Sequence, residues 1–330
     1  MTDPYSVLGV PPEASLEEVK RVHKTLVKLY HPDTNPGNAY AAKKMQELNE
    51  AYTEILKRFE GHGSKPEVRP APTEAPRHQT SREELFRQAK ELYGKDDKKA
   101  FELFREAAKL GHGEAELYLG AMYEHGRGTQ EDIDRAVFFY RLAAKKGVSK
   151  AQYDLGCLYY YGERVGQNYK EAEKWFLMAQ KQGNAEASYL LGLMYLQGLG
   201  VRKSDGGALY SFSKAIECGS TDAHAGVGYM YENGIGLPQS GKDAERHYRI
   251  AAEAGNTVAQ YNLGMLYYNG ELVAEDLREA FGWFLKAAEQ NDEDACFTVG
   301  YMYENGLGTV QNRMLAEKYY RLADRSPARA

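Results

Sequence analysis

His31, Pro32 and Asp33, within the stretch "KLYHPDTNPGN", set an imidazole and a carboxylate on either side of a proline that stiffens the backbone between them. Lys20, Lys24 and Lys28 precede them at four-residue steps, with Arg21 alongside. A His/Asp pair transfers protons in catalysis only with a nucleophile or metal ligands at hand, and the flanking sequence supplies neither. The chemistry that remains is recognition: one carboxylate and one imidazole on a stiff loop suit an arginine or a backbone amide across an interface. The plainer alternative is a polar turn, with Asp33 capping the backbone, His31 ending a helix, and the lysines forming a solvated face.

Two amphipathic runs must position this loop. Leu16, Val19, Val22, Leu26, Val27 and Tyr30 recur at three- and four-residue steps, one apolar side of a helix with the basic residues on the other. Ser15 stands at the N-cap position, and Glu17 and Glu18 favour the first turn. Pro32 disfavours helical dihedrals at His31, so the helix ends near Tyr30. After Asn35, Pro36 and Gly37 comes a second seam of Ala41, Met45, Leu48, Tyr52 and Ile55. Two runs of similar length predict an antiparallel hairpin with His-Pro-Asp at its tip.

The segments "DPYSVLGV", "ASLEEVKRVHKTLVKLYHPDTNPGN" and "KKMQELNEAYTEIL" together resemble a J-domain, the DnaJ-type cochaperone module, over residues 1–60. The resemblance implies that His31, Pro32 and Asp33 engage a DnaK-type chaperone ATPase and speed its ATP hydrolysis. It also implies that Lys20, Arg21, Lys24 and Lys28 face an acidic surface of that partner. His23 and Leu29 depart from the usual family pattern, which bears on coupling strength and choice of partner.

Residues 61–82 are rich in proline, poor in apolar side chains and without period, and read as an extended linker. Beyond it, Gly120, Gly156, Gly192, Gly228, Gly264 and Gly300 repeat every 36 residues, a period that signals stacked supersecondary units. A tyrosine follows each of these glycines by three residues. A second half-unit has an alanine at 100, 136, 172, 208, 244, 280 and 316, an aromatic four later and another alanine three beyond. The glycine column inside a helix needs a packing reason, such as a neighbouring backbone. Gly111, Gly147, Gly183, Gly219 and Gly255, with Asn291 in the sixth place, fit helix ends in the left-handed region.

These columns resemble Sel-one-like repeats, relatives of the tetratricopeptide class, over residues 83–325, with 326–330 as a tail. The expected fold is all-α: the hairpin plus an α-solenoid of about seven helix pairs, the first degenerate, curled into a right-handed superhelix. By analogy with the tetratricopeptide class, first-helix positions line a protein-binding groove, and Tyr160, Tyr229, Glu232, Tyr268, Tyr301 and Glu304 are its candidate contacts. Some of these side chains serve equally well as padding between helices.

The formal charge of −5 argues against a nucleic-acid partner. No window resembles a secretory signal or a membrane span, and a cytoplasmic protein is expected. Cys157, Cys218 and Cys296 lack zinc-ligand spacing, so neither a metal nor a cofactor is expected. Cys157 and Cys296 read as small buried apolar groups. The favoured function is a cochaperone, not itself an enzyme, whose hairpin activates a DnaK-type ATPase while the solenoid binds a client or adaptor. The alternative is a signalling or host-interaction scaffold with a weakened J-domain.

Overall fold

The computed structural model describes residues 3–8, 10, 14–31, 39–61 and 81–324. Pro32 and Asp33, nearly all of the proline-rich linker and the tail lie outside the described residues, as does the side chain of Lys28. Among the described residues there are seventeen helices and no strand. The chain divides into two compact units, Met1–Phe139 and Tyr140–Ala330.

The amino-terminal part of the first unit is built from α1 (Pro4–Leu8), α2 (Leu16–Tyr30) and α3 (Ala39–Gly61). The α2 helix stops at Tyr30, where Pro32 predicts it to stop. Val19 and Leu26 on α2 close against Leu48, Ala51 and Ile55 on α3, with Val19 and Ile55 fully buried. The sequence reading assigned no element to α1, which seats Tyr5 and Leu8 in the same core.

Four more helices follow: α4 (Arg82–Leu92), α5 (Asp97–Lys109), α6 (Gly113–Glu124) and α7 (Ile133–Lys145), the last running across the boundary between the units. The first pair is abbreviated as expected. Four residues join α4 to α5, whereas eight join α6 to α7.

The second unit continues with α8 (Ser149–Tyr161), α9 (Tyr169–Gln180), α10 (Ala185–Gln197), α11 (Asp205–Glu217) and α12 (Asp222–Asn233). It ends with α13 (Gly241–Glu253), α14 (Thr257–Asn269), α15 (Leu277–Glu289), α16 (Glu293–Asn305) and α17 (Arg313–Ala323). From α4 to α17 this makes the seven helix pairs that the period predicts.

The five pairs of the second unit close by the same local chemistry. Asn168, Ser204, Ser240, Asp276 and Asn312 cap their second helices through the side-chain oxygen. Their own amides donate back to the carbonyls of Tyr159, Tyr195, Tyr231, Tyr267 and Tyr303 at 2.8–3.1 Å. The polar cap thereby ties the second helix to the end of the first, which explains a fixed distance between the tyrosine and the cap.

The in-helix glycine column has a different cause from the one expected. A Cβ at Gly156 would stand 2.5 Å from Phe176 Cε1, one at Gly228 2.7 Å from Tyr248 and one at Gly264 2.7 Å from Phe284. An aromatic ring of the partner helix, rather than a neighbouring backbone, fills the notch at these positions. Phe176, Phe212, Tyr248 and Phe284 are fully buried there, flanked by the alanine columns. The helix-end column is as expected, and Asn291, at φ 64°, is the one non-glycine residue with positive φ among the described residues.

Candidate protein-interaction surfaces

The first surface is the outer side of α2. Because Val19 and Leu26 turn inward, Lys20, Arg21 and Lys24 stand exposed on the opposite side, on the helix that leads to His31. Lys20 pairs loosely with Glu17 at 3.6 Å, both side chains well solvated, so the contact restrains its charge little. His31 itself is half-buried.

His23, a departure from the usual pattern, is accounted for by its place. Its Nε2 donates to Asn49 Oδ1 at 2.9 Å, and its ring stacks on Tyr52 with centroids 3.9 Å apart and planes within 6°. The imidazole therefore bridges α2 to α3 and leaves the basic residues to the outer surface.

The second surface runs along the first helices of the repeats. Tyr229 and Tyr301, in the same register, are each 42% exposed. Tyr160 and Tyr268 are half-buried, packed on Phe176 and Phe284 at centroid distances of 6.2 and 6.3 Å. Glu232 accepts the Tyr248 hydroxyl at 2.6 Å and Glu304 accepts that of Tyr320 at 2.8 Å. Burial, aided by the neighbouring carboxylate, pushes the Tyr320 phenol up to about 12 and Tyr248 further still, so both remain donors at neutral pH.

The six candidates thus divide in two. Tyr229 and Tyr301 are presented outward. The other four also serve packing within the pair: Tyr160 lies on Phe176 and Tyr268 on Phe284, while Glu232 receives the Tyr248 hydroxyl and Glu304 that of Tyr320.

Sequence reasoning missed part of this face. Phe297, 59% exposed, lies one helical turn before Tyr301, and Tyr161, 56% exposed, ends α8. Tyr153, Tyr189 and Tyr261 share the register of Phe297 and are half-buried. The signal lies in the sequence, since positions four apart on one helix share a face. Cys296 is buried as expected, donating to the Ala288 carbonyl at 3.6 Å, whereas Cys157 is only half-buried.

Among the described residues, no group of three or more His, Cys, Asp or Glu side chains is placed to hold a metal ion. No helix among them is long and apolar enough to cross a membrane.

Residues 3–60 match the DnaJ domain, and seven consecutive Sel1 repeats match at 86–112, 113–148, 149–184, 185–220, 221–256, 257–292 and 293–323. The chaperone protein DnaJ of Caldicellulosiruptor saccharolyticus is 56% identical over 54 residues, 16% of this chain and 14% of that protein. That of Orientia tsutsugamushi is 54% identical over 55 residues, 17% and 14% respectively. The chain therefore spans about a seventh of the length of these curated relatives. Among solved structures, a Sel1 repeat protein from Oxalobacter formigenes is similar with TM-score 0.69 and 28% identity, over 74% of this chain and 98% of that one. A protective antigen of uropathogenic Escherichia coli, displaying an SLR fold, is similar with TM-score 0.63 and 25% identity, over 94% and 64%.

Proposed function

Because the chain belongs to the Sel1 repeat family and carries an amino-terminal DnaJ domain, we propose that it is a J-domain cochaperone. In this reading His31, Pro32, Asp33 and the basic side of α2 recruit a DnaK-type chaperone and stimulate its ATPase. The repeats bind a client or adaptor protein, and the ATP chemistry belongs to the partner.

The observation that carries the reading is the division of α2. Its apolar side is used up in the core with α3, while Lys20, Arg21 and Lys24 take no part in that core. Cations that stand exposed outside the core are placed to meet an acidic partner, where they raise association rate and fix orientation. Joining this surface to a repeat array that holds a second protein raises the effective concentration of that protein at the ATPase. On the array, Tyr229, Tyr301 and Phe297 are the anchors, since exposed rings bury large area at low entropic cost.

The test is single-turnover ATP hydrolysis by a DnaK-type chaperone with the full chain added. Stimulation that disappears with His31→Gln supports the proposal. A chain that gives no stimulation with any DnaK-type chaperone from its own source would instead mark the repeats as a scaffold whose DnaJ domain has lost its coupling.

A further inference from the structure

His224 on α12 and His247 on α13 face one another across a single helix pair, with Nδ1 to Nδ1 at 2.9 Å. Neither residue follows its column. The positions equivalent to His224 hold Glu116, Gln152, Ser188, Gln260 and Cys296, and those equivalent to His247 hold Phe139, Trp175, Ser211, Trp283 and Tyr319. In the neighbouring repeats Gln152 and Gln260 each donate to a backbone carbonyl of the preceding helix, at 3.0 Å in both cases. One repeat has thus exchanged two structural side chains for imidazoles, and the fold brings those two rings together.

The surroundings define the state of the pair. Arg246 Nη2 lies 3.2 Å from His247 Nε2, and a guanidinium only donates, so His247 accepts there and carries its proton on Nδ1. That proton is donated to Nδ1 of His224. Tyr231 stacks on the His247 ring with centroids 5.6 Å apart, which fixes its orientation. Asp243, one turn before His247, pairs with Arg246 at 3.3 Å. The Arg246 side chain is 63% exposed and has room to swing outward.

We infer that His224 and His247 form a two-nitrogen site for a divalent first-row cation of the copper(II) or nickel(II) type, linking α12 to α13. Two imidazole nitrogens about 2.0–2.1 Å from a metal and 2.9 Å apart subtend about 90° at it. This is the angle of adjacent ligands in tetragonal or octahedral coordination. Binding moves the His247 proton from Nδ1 to Nε2 and turns Arg246 away, so both imidazoles stay neutral and no net proton is released. Among the described residues no third His, Cys, Asp or Glu side chain is placed to join the two imidazoles, so water completes the sphere.

The experiment uses the full chain and the metal ions alone. Copper(II) is followed by electron paramagnetic resonance and nickel(II) by calorimetry and thermal melting, in the unaltered protein, in His224→Gln and in His247→Trp. Both substitutions install what neighbouring repeats carry at these positions, and circular dichroism checks that they fold. The expected result is one site with a two-imidazole copper spectrum and a melting point raised by nickel, with affinity falling at least tenfold in each variant. Equal binding in the unaltered chain and in His224→Gln would overturn the site and leave the pair as a hydrogen bond only. That result holds whether or not His247→Trp folds.

Discussion

The Tyr248 hydroxyl donates to Glu232 at 2.6 Å, and the bond recurs two repeats later between Tyr320 and Glu304. Where the second helix carries Phe176 or Phe284, Tyr160 or Tyr268 stands in the place of the glutamate. The two solutions are self-consistent, and mixing them is costly. Tyr248→Phe removes the donor from a half-buried carboxylate and should lower stability by about 1 kcal/mol. Adding Glu232→Tyr should recover most of that, because it recreates the pairing of Phe176 with Tyr160. Denaturant unfolding of both single variants and the double gives the coupling; strictly additive effects would refute it.

Gly156 and Gly282 both lie inside helices, yet alanine should act oppositely at the two. At Gly156 the new Cβ meets the ring of fully buried Phe176 at 2.5 Å, so Gly156→Ala should destabilise by about 1–3 kcal/mol despite its better helix propensity. At Gly282 in α15 nothing lies within 4 Å, and Gly282→Ala should stabilise by about 0.5–1 kcal/mol. Thermal melting of the two variants tests the sign of each.

Asn291 holds φ 64° where the equivalent residues are glycine. Asn291→Gly should leave stability within a few tenths of a kcal/mol or raise it, whereas Asn291→Ala should cost about 1–2 kcal/mol. An alanine variant that melts with the parent would show that this helix end rearranges freely.

Burial, then the neighbouring His224 and Arg246, depress the His247 imidazole to about 4, with Asp243 opposing; His224 is also lowered, by burial and Arg246. Unfolded histidine titrates near about 6.5, so between that pH and about 4 the unfolded chain binds more protons than the folded one. Stability from this pair is therefore complete above about pH 6.5 and is lost as pH falls toward 4. His247→Trp should flatten that part of the pH–stability curve; an unchanged slope in the variant would contradict the assignment.

Arg21→Ala combined with Lys24→Ala should leave the helical signal and melting of the chain unchanged, since both side chains are exposed and outside the α2–α3 core. The same variant should weaken ATPase stimulation several-fold, and its residual stimulation should depend less on salt than the parent's. A double variant that stimulates as the parent does at low ionic strength would exclude this side of α2 as the contact.

The sequence by itself determined the helices from α2 onward and their repetition. The stop of α2 at Tyr30, the seven helix pairs and the left-handed position of Asn291 all follow from rules that act within a few residues, such as proline sterics, 3.6-residue periodicity and the Cβ penalty at positive φ. The basic side of α2 was equally legible, because opposite sides of one helix are defined by spacing alone. Tertiary structure decided who meets whom. The ring that fills the notch at Gly156, the engagement of Glu232 and Glu304 by tyrosines, the His23 bridge to Asn49 and the His224–His247 pair all join residues 16 to 26 positions apart across two helices. Such meetings depend on how far one helix is rotated and shifted against the next. That is fixed by close packing of the alanine and aromatic columns at the interior density of a protein, not by any local spacing.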